Sequence, residues 1–275
     1  MRRSIILICF LTVNPFAGSH LPDAANRDVM AYPQKVPELQ SFASEMYRQF
    51  LSSHTVLTAK ENVAVNRVNH TGNRVINAVK NYYASKRSSG ELDGFAWKIN
   101  LVQENKKDAW CLPGGRIVVY SSLLPVTQSD ASLAVILSHE LAHIMLKHGD
   151  IRMKQYLKEY LDSKDLATAI ASKPAETKAF FKMAYGTGDY VGVILGFSEE
   201  DEMGADKLGL IFCAMAGFNP FDAIVFWKRM SGLKGTARQP ELVSAHPVYE
   251  KRMTHLEEVM EDISEKYYKP IINNN

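Results

Sequence analysis

Apolar residues recur at helical spacing along most of the chain, which predicts a mainly helical protein. Between 37 and 52, for example, Leu39, Phe42, Met46 and Phe50 follow one another at intervals of three or four residues. Comparable patterns cover 62–84, 127–148, 151–161, 176–185, 207–215, 220–230 and 248–266. Each amphipathic helix must bury one face, so together they predict one substantial core.

Two short segments have the period of two that is typical of β-strands. In the first, the apolar residues Trp97, Ile99 and Leu101 alternate with Lys98, Asn100 and Val102. The second covers 116–120 and follows the turn signal Pro-Gly-Gly at 113–115. We expect the two strands to pair antiparallel and to lead into the next helix. The predicted fold class is therefore α+β, predominantly helical, a single domain with a small antiparallel sheet beside that helix.

The first residues have the pattern of a targeting segment. A charged start, an apolar run over 5–13 and a small-residue zone predict a signal peptide at 1–19, and so an exported, periplasmic protein. The apolar run is short for a membrane span, but an uncleaved signal anchor on the periplasmic side of the membrane is an alternative. We predict an extended lead-in at 20–36, one folded domain at 37–268 and a tail at 269–275.

Charge and cysteine content narrow the class of partner. The chain has 32 basic and 30 acidic side chains, and removal of 1–19 takes away Arg2 and Arg3, which leaves 30 against 30. A neutral protein of this kind is not expected to bind nucleic acid or an anionic membrane surface. Of the cysteines, Cys111 and Cys213 would remain after cleavage. Export would permit a disulfide between them, but we expect two buried free thiols.

The helix predicted at 127–148 carries the most specific motif of the chain. His139 and His143 are four residues apart, so their imidazoles lie on one face of the helix and can reach one metal ion. With Glu140 between them, the sequence has the H-E-x-x-H spacing of zinc hydrolases. This spacing predicts a catalytic zinc ion with Glu140 as the base that activates water.

A catalytic zinc site usually has a third protein ligand, and His148 is the first candidate. On a continuous helix its side chain would point away from the two ligating histidines. The metzincin pattern also requires a histidine one residue later and a glycine where Leu146 stands. We interpret His148 as a residue at the C-terminal end of the helix that faces the carbonyl groups there.

Glu202 is the better candidate for the third ligand. Asp206 lies four residues later on the same predicted helix and can accept the free N–H of a ligating histidine. Between them, Gly204 and Ala205 are small and would allow a close approach to the histidine helix. The neighbouring carboxylates lack such a partner; they are Glu199, Glu200 and Asp201.

Four motifs in this order carry a resemblance to a known family. They are A-W-C-L-P-G-G-R at 109–116, H-E-L-A-H at 139–143, E-M-G-A-D at 202–206, and Ala-His-Pro at 245–247 with Arg252. The chain resembles the gluzincin metallopeptidases that include the CAAX prenyl proteases, HtpX and BepA, over about 37–262. It looks closest to the soluble, exported branch. The resemblance implies a zincin-like fold and a zinc-dependent metalloendopeptidase.

The resemblance also implies roles for single residues. It implies His139, His143 and Glu202 as zinc ligands, Glu140 as catalytic base and Asp206 as partner of a ligand. His246 would either stabilise the oxyanion or occupy the open metal position in a latent state. The strand that would bind substrate as an added β-strand consists of Arg116, Ile117, Val118, Val119 and Tyr120. Departures from the common family pattern occur at Glu199, Gly204 and Ala245.

These observations predict an exported zinc protease that hydrolyses polypeptides, with unfolded or misassembled envelope proteins as substrates. Two other functions remain open at this point. One is a chaperone-like binding or assembly factor with a latent zinc site. The other is a zinc hydrolase of non-peptide substrates, because the ligand set alone does not define the substrate.

Overall fold

The structure is a computed structural model that describes residues 36–60, 62–185, 197–234, 240–248 and 250–270. The signal peptide predicted at 1–19, nearly all of the lead-in and the end of the tail lie outside this part. Within it, no helix combines the length and apolar character needed to cross a bilayer. Cys111 and Cys213 are both buried and unpaired, as expected.

The described residues form eleven α-helices and three strands, which confirms the predicted α+β, mainly helical class. The strands are β1 (Lys98–Val102), β2 (Ala109–Leu112) and β3 (Arg116–Tyr120). The helices are α1 (Val36–Ser52), α2 (Val63–Ser85), α3 (Leu124–Thr127), α4 (Asp130–Met145), α5 (His148–Glu159), α6 (Leu166–Ser172), α7 (Pro174–Ala184), α8 (Glu199–Met215), α9 (Asp222–Ser231), α10 (Glu241–Ala245) and α11 (Glu250–Tyr267).

The sheet has the order β1-β3-β2. Strand β3 pairs parallel with β1 and antiparallel with β2. The expected antiparallel pairing of the two sequence-predicted strands is therefore wrong, because β2 lies between them in the chain and takes the antiparallel place. Strand β2 has no polar alternation: Ala109, Trp110, Cys111 and Leu112 are all buried. Without alternation, its strand character was not visible in the sequence.

Strand β3 is the central strand, so it cannot bind substrate as an added strand. Its residues pair in register with β1 on one side and with β2 on the other. The backbone groups that a substrate strand would need are already hydrogen-bonded. The prediction for Arg116, Ile117, Val118, Val119 and Tyr120 is therefore wrong, and β2 is the strand with an open side.

Helix α4 is shorter than predicted and ends before His148. Ser129 caps its N-terminus by accepting a hydrogen bond from the Ser132 N–H, and the helix ends at Met145. Lys147 then adopts a left-handed conformation with φ of 60°, and α5 begins at His148. The interpretation of His148 as the C-terminal residue of the histidine helix is wrong, because the left-handed Lys147 separates the two helices and His148 is the first residue of α5.

Helices α4 and α8 lie in backbone contact at Gly209. A Cβ atom at this position would come within 3.1 Å of both the N and the Cα atoms of His139. At Gly204, by contrast, the nearest atom to an added Cβ is Leu146 Cδ1 at 3.5 Å, which is an ordinary contact. Ala205 is fully buried. The glycine that permits the close approach is therefore Gly209, and the expectation for Gly204 was wrong.

We expect Gly209→Val to destabilise the protein by about 1–3 kcal/mol, the usual cost of overpacking a closed interface. The reason is that the new side chain would meet the backbone of His139, which cannot rotate away. Gly204→Ala is the matched control: it has room for the methyl group and should gain up to about 1 kcal/mol of helix propensity. Urea unfolding of both variants measures the difference. A Gly209→Val protein as stable as wild type would contradict this packing.

Candidate metal centre

His139 and His143 occupy successive turns of α4 in the interior of the protein. The helix is buried on nearly all sides because apolar residues surround both histidines. Both imidazoles are almost fully buried, and their Nε2 atoms lie 3.0 Å apart. The two nitrogens therefore converge on one point, as the four-residue spacing predicts.

Helix α8 brings a carboxylate to the same point. Glu202 Oε2 lies 3.2 Å from His139 Nε2, and Glu202 Oε1 lies 3.6 Å from His143 Nε2. The Glu202 side chain is fully buried. The structure thus brings together the three residues that sequence reasoning named as ligands.

Asp206 holds His139 from the opposite side of the ring. Its Oδ1 lies 3.0 Å from His139 Nδ1, which leaves Nε2 directed at the metal position. Burial alone would lower the pKa of His139, but the contacts with Asp206 and Glu202 outweigh it and raise that pKa above its ordinary value. The predicted role of Asp206 beside a ligand therefore fits the geometry.

Arg252 compensates the buried negative charge of α8. It is 1% exposed and binds Asp206 through two hydrogen bonds, from Nε at 2.6 Å and Nη2 at 2.8 Å. Its Nη1 lies 2.8 Å from Glu202 Oε2. Burial would raise the pKa of Glu202, but His246 and Arg252 lower it well below its usual range. Both carboxylates are therefore ionised, which suits metal binding.

His148 is the partner of His143 that sequence reasoning missed. Its Nδ1 lies 2.9 Å from His143 Nδ1, and its Nε2 lies 3.5 Å from Asp201 Oδ1. On the other side, the Phe197 ring stacks on His143 at a centroid distance of 4.0 Å. Burial lowers the pKa of His148 to about 4 and that of His143 well below its ordinary value. A neutral imidazole is the form that binds a metal ion.

Glu140 and His246 face each other beside the three ligands. Glu140 Oε1 lies 3.2 Å from His246 Nε2, while His246 Nδ1 lies 2.9 Å from Glu202 Oε1 and 3.2 Å from His139 Nε2. Burial raises the pKa of Glu140 to about 8, although His246 opposes the shift. A divalent cation nearby would lower that pKa again and favour the carboxylate.

The donor set fits a divalent metal ion. One atom each from His139, His143, Glu202 and His246 lies within 4.8 Å of the others. Ligands about 2.0–2.2 Å from a tetrahedral ion are spaced about 3.3–3.6 Å apart, close to the distances above. Among the described residues, Glu140 Oε1 also lacks a well-aligned hydrogen bond, as does Glu202 Oε2 apart from its ion pair with Arg252. Buried oxygens of this kind are explained by an ion and the water at it.

Comparison with known proteins agrees with this geometry. Residues 69–260, well over half of the chain, match the model of Peptidase family M48. The chain belongs to peptidase family M48. Its metal cluster lies within the matched residues, with the H-E-x-x-H histidines on α4 and the glutamate on α8.

Named relatives of this M48 chain are metalloendopeptidases or proteases. It is 27% identical over 168 residues to mitochondrial metalloendopeptidase OMA1 of Schizosaccharomyces pombe, which covers 61% of this chain and 48% of the relative. The OMA1 protein of Arabidopsis thaliana is 30% identical, with 60% and 32% covered. The beta-barrel assembly-enhancing protease of Escherichia coli is 25% identical, with 56% and 32% covered. The chain therefore spans half or less of the length of these relatives.

We expect His148→Ala to weaken metal affinity by about 10–100-fold, the usual cost of losing a partner of a ligating histidine. The reason is that Nδ1 of His143 would lose the buried group that orients the ring. His70→Ala, at an exposed position of α2, is the matched control. Competition with a fluorescent chelator measures both dissociation constants. Equal affinities for wild type and His148→Ala would rule out this role.

Proposed function

We propose that the protein is a zinc-dependent metalloendopeptidase, exported and active on unfolded or misassembled envelope proteins. One observation carries the proposal: the imidazoles of His139 and His143 and the ionised carboxylate of Glu202 converge beside a second carboxyl group, Glu140. Two histidines and a glutamate are a typical donor set of catalytic zinc in proteases. In the described part of the chain the cluster consists of histidine and glutamate without cysteine, a composition that favours a catalytic over a structural zinc site.

In the proposed hydrolysis of a peptide bond, the residues of the site have different roles. A bound zinc ion supplies Lewis-acid chemistry, since it acidifies water and polarises a carbonyl group. Glu140 takes the proton of the attacking water and passes it to the leaving amine. Asp206 and His148 hold the ring nitrogens of His139 and His143 that face away from the centre.

The open side of β2 is the place where an extended peptide fits best. In an antiparallel pair, backbone groups alternate between the partner and the outer side. Since Asp108 O accepts the Tyr120 N–H at 3.1 Å, the N–H and C=O groups of Ala109 and Cys111 point away from β3. Among the described residues no strand pairs with this side. Burial raises the pKa of Cys111 well above its ordinary value and the negative charge of Glu140 raises it further, so this edge lies near the proposed base. A peptide added to β2 would therefore reach Glu140.

Location and substrate class rest on sequence and relatives. The proposal of export rests on the signal pattern at 1–19, with a signal anchor as alternative. The name of the Escherichia coli relative connects it with beta-barrel assembly, which supports envelope proteins as substrates here. Other relatives are named as mitochondrial, so the compartment is tested by fractionating cells that express the full chain.

Glu140→Gln should reduce cleavage of casein by about 10²–10⁴-fold, the usual contribution of a general base. Zinc content should remain that of wild type, because the ligands His139, His143 and Glu202 are unchanged. Elemental analysis and a casein assay on the same samples measure both quantities. Normal cleavage by this variant would show that Glu140 is not the base.

A second candidate function has one observation in its favour. His246 Nδ1 lies as close to Glu202 and His139 as a fourth ligand would, so it can close the site. A protein kept in this state could hold unfolded clients as a chaperone-like assembly factor without cleaving them. The alternative role of His246 is to stabilise the oxyanion, which requires its ring to move away from the metal position.

We expect His246→Ala to increase basal cleavage of casein several-fold, because removal of the ring opens the fourth position. A loss of about 10²-fold or more with zinc retained would instead assign His246 to the oxyanion. Suppression of client aggregation, measured with wild type and Glu140→Gln, separates the chaperone function. If wild type and His246→Ala both suppressed aggregation and cleaved nothing, the protease proposal would be wrong.

A further inference from the structure

Asp108 presents a carboxyl group along the open side of β2. It immediately precedes the strand and is 2% exposed. Its backbone oxygen bonds to β3, whereas its side-chain Oδ1 accepts the N–H of Ala109 at 2.9 Å. That N–H points away from β3, because successive residues of a strand alternate in direction. The carboxyl group therefore lies where a peptide strand added to β2 would pass.

In the described part of the chain, no lysine or arginine forms an ion pair with this buried carboxyl group. Asp108 makes no ion pair there, and the charges nearest to it include Glu241 and Glu140, which are both acidic. Lys106 opposes their effect only in part, and burial raises the pKa of Asp108 to about 8. The other buried carboxylates of the site, on α8, are paired with an arginine. A buried carboxyl group without such a partner is unfavourable in the absence of ligand.

Asp108 also lies close to the catalytic region. A charge on Asp108 raises the pKa of Glu140, so the two carboxyl groups are near enough to interact. The adjacent Lys107 connects to α10, because its N–H donates to Glu241 Oε2 at 2.8 Å and its C=O accepts from the Leu242 N–H at 3.3 Å. The start of β2 is thus anchored to α10, with the carboxyl group of Asp108 near that of Glu140.

We infer that Asp108 selects substrates with a basic side chain, lysine or arginine, close to the scissile bond. This inference rests on the proposed peptidase function and on β2 as the substrate edge. A carboxylate and an ammonium or guanidinium group form strong, charge-assisted hydrogen bonds when both are shielded from water. The bound cation would supply the partner that Asp108 lacks, and the carboxyl group would lose its proton on binding.

A purely structural role predicts a different behaviour of Asp108→Asn. The amide retains the hydrogen bond to the Ala109 N–H, and it removes a charge that is costly to bury. The folded-state pKa of about 8 lies above the unfolded value of about 3.9, so Asp108 weakens stability increasingly as pH rises from about 4 to 8. Asp108→Asn should therefore melt at a higher temperature than wild type, by more at pH 8 than at pH 5. Because the amide keeps the cap, a role limited to capping predicts a melting temperature close to that of wild type at both pH values.

The decisive experiment compares matched peptides that carry lysine or the uncharged isostere norleucine at each position around the cleaved bond. At the best position, we expect wild type to prefer lysine in kcat/KM by about 10-fold or more, and Asp108→Asn to lose the preference. Asp262→Asn, at an exposed position of α11, should retain it. In wild type the lysine preference should increase from pH 6 to 9 as Asp108 ionises. Glu140, Glu241 and Lys106 interact electrostatically with Asp108, so the same pH series on Asp108→Asn separates their effect on the lysine preference from that of Asp108.

A binding measurement separates this inference from the proposed function. Fluorescence anisotropy with the lysine and norleucine peptides is measured on Glu140→Gln and on Glu140→Gln with Asp108→Asn. Tighter binding of the lysine peptide that is lost in the double variant supports the inference even if wild type cleaves no peptide. Cleavage or binding with equal preference in the presence and absence of the Asp108 carboxylate would overturn it and leave the peptidase proposal intact.

Discussion

The backbone contact between α4 and α8 is the constraint on which the rest of the site depends. On α8, Glu202, Asp206 and Gly209 share one face, since they are spaced by four and three residues. Gly209 places this face directly against the backbone of His139. The two carboxylates then meet the two nitrogens of the same imidazole, one on each side of the ring. A bulkier interface would separate the ligands by more than a metal ion can bridge.

Close packing buries several carboxyl groups, and only some of them have a basic side chain as partner. Glu202 and Asp206 are buried as charges, and Arg252 compensates both through direct contacts. The same arginine donates to the carbonyl of Pro247, which fixes the segment that follows α10 and carries His246. Asp108 receives no comparable compensation from the described residues, although it is equally buried. The compensated charges of α8 belong to the metal centre, whereas Asp108 lies at the edge of β2 that we propose as the substrate-binding edge.

The parts of the site that sequence reasoning found are those with local periodicity. The four-residue spacings 139–143 and 202–206 fix which side chains share a helix face, and the structure brings those faces together. Sheet order was not predicted, because strand β2 is apolar on both faces and lacks the alternation that identifies a strand. The partner role of His148 was missed because it depends on one left-handed residue, Lys147, which composition does not reveal. Contacts between distant segments, such as Gly209 with His139, likewise have no signal in spacing.

X-ray absorption at the zinc edge of the zinc-loaded protein tests the central claim most directly. We expect one zinc ion per chain with the imidazole nitrogens of His139 and His143 at about 2.0–2.1 Å, an oxygen of Glu202, a fourth position taken by water or by His246, and no sulfur. Glu202→Ala should alter the oxygen contribution and leave both imidazoles in place. Scattering from sulfur at about 2.3 Å, or a spectrum unchanged in Glu202→Ala, would contradict the convergence of α4 and α8 on one ion.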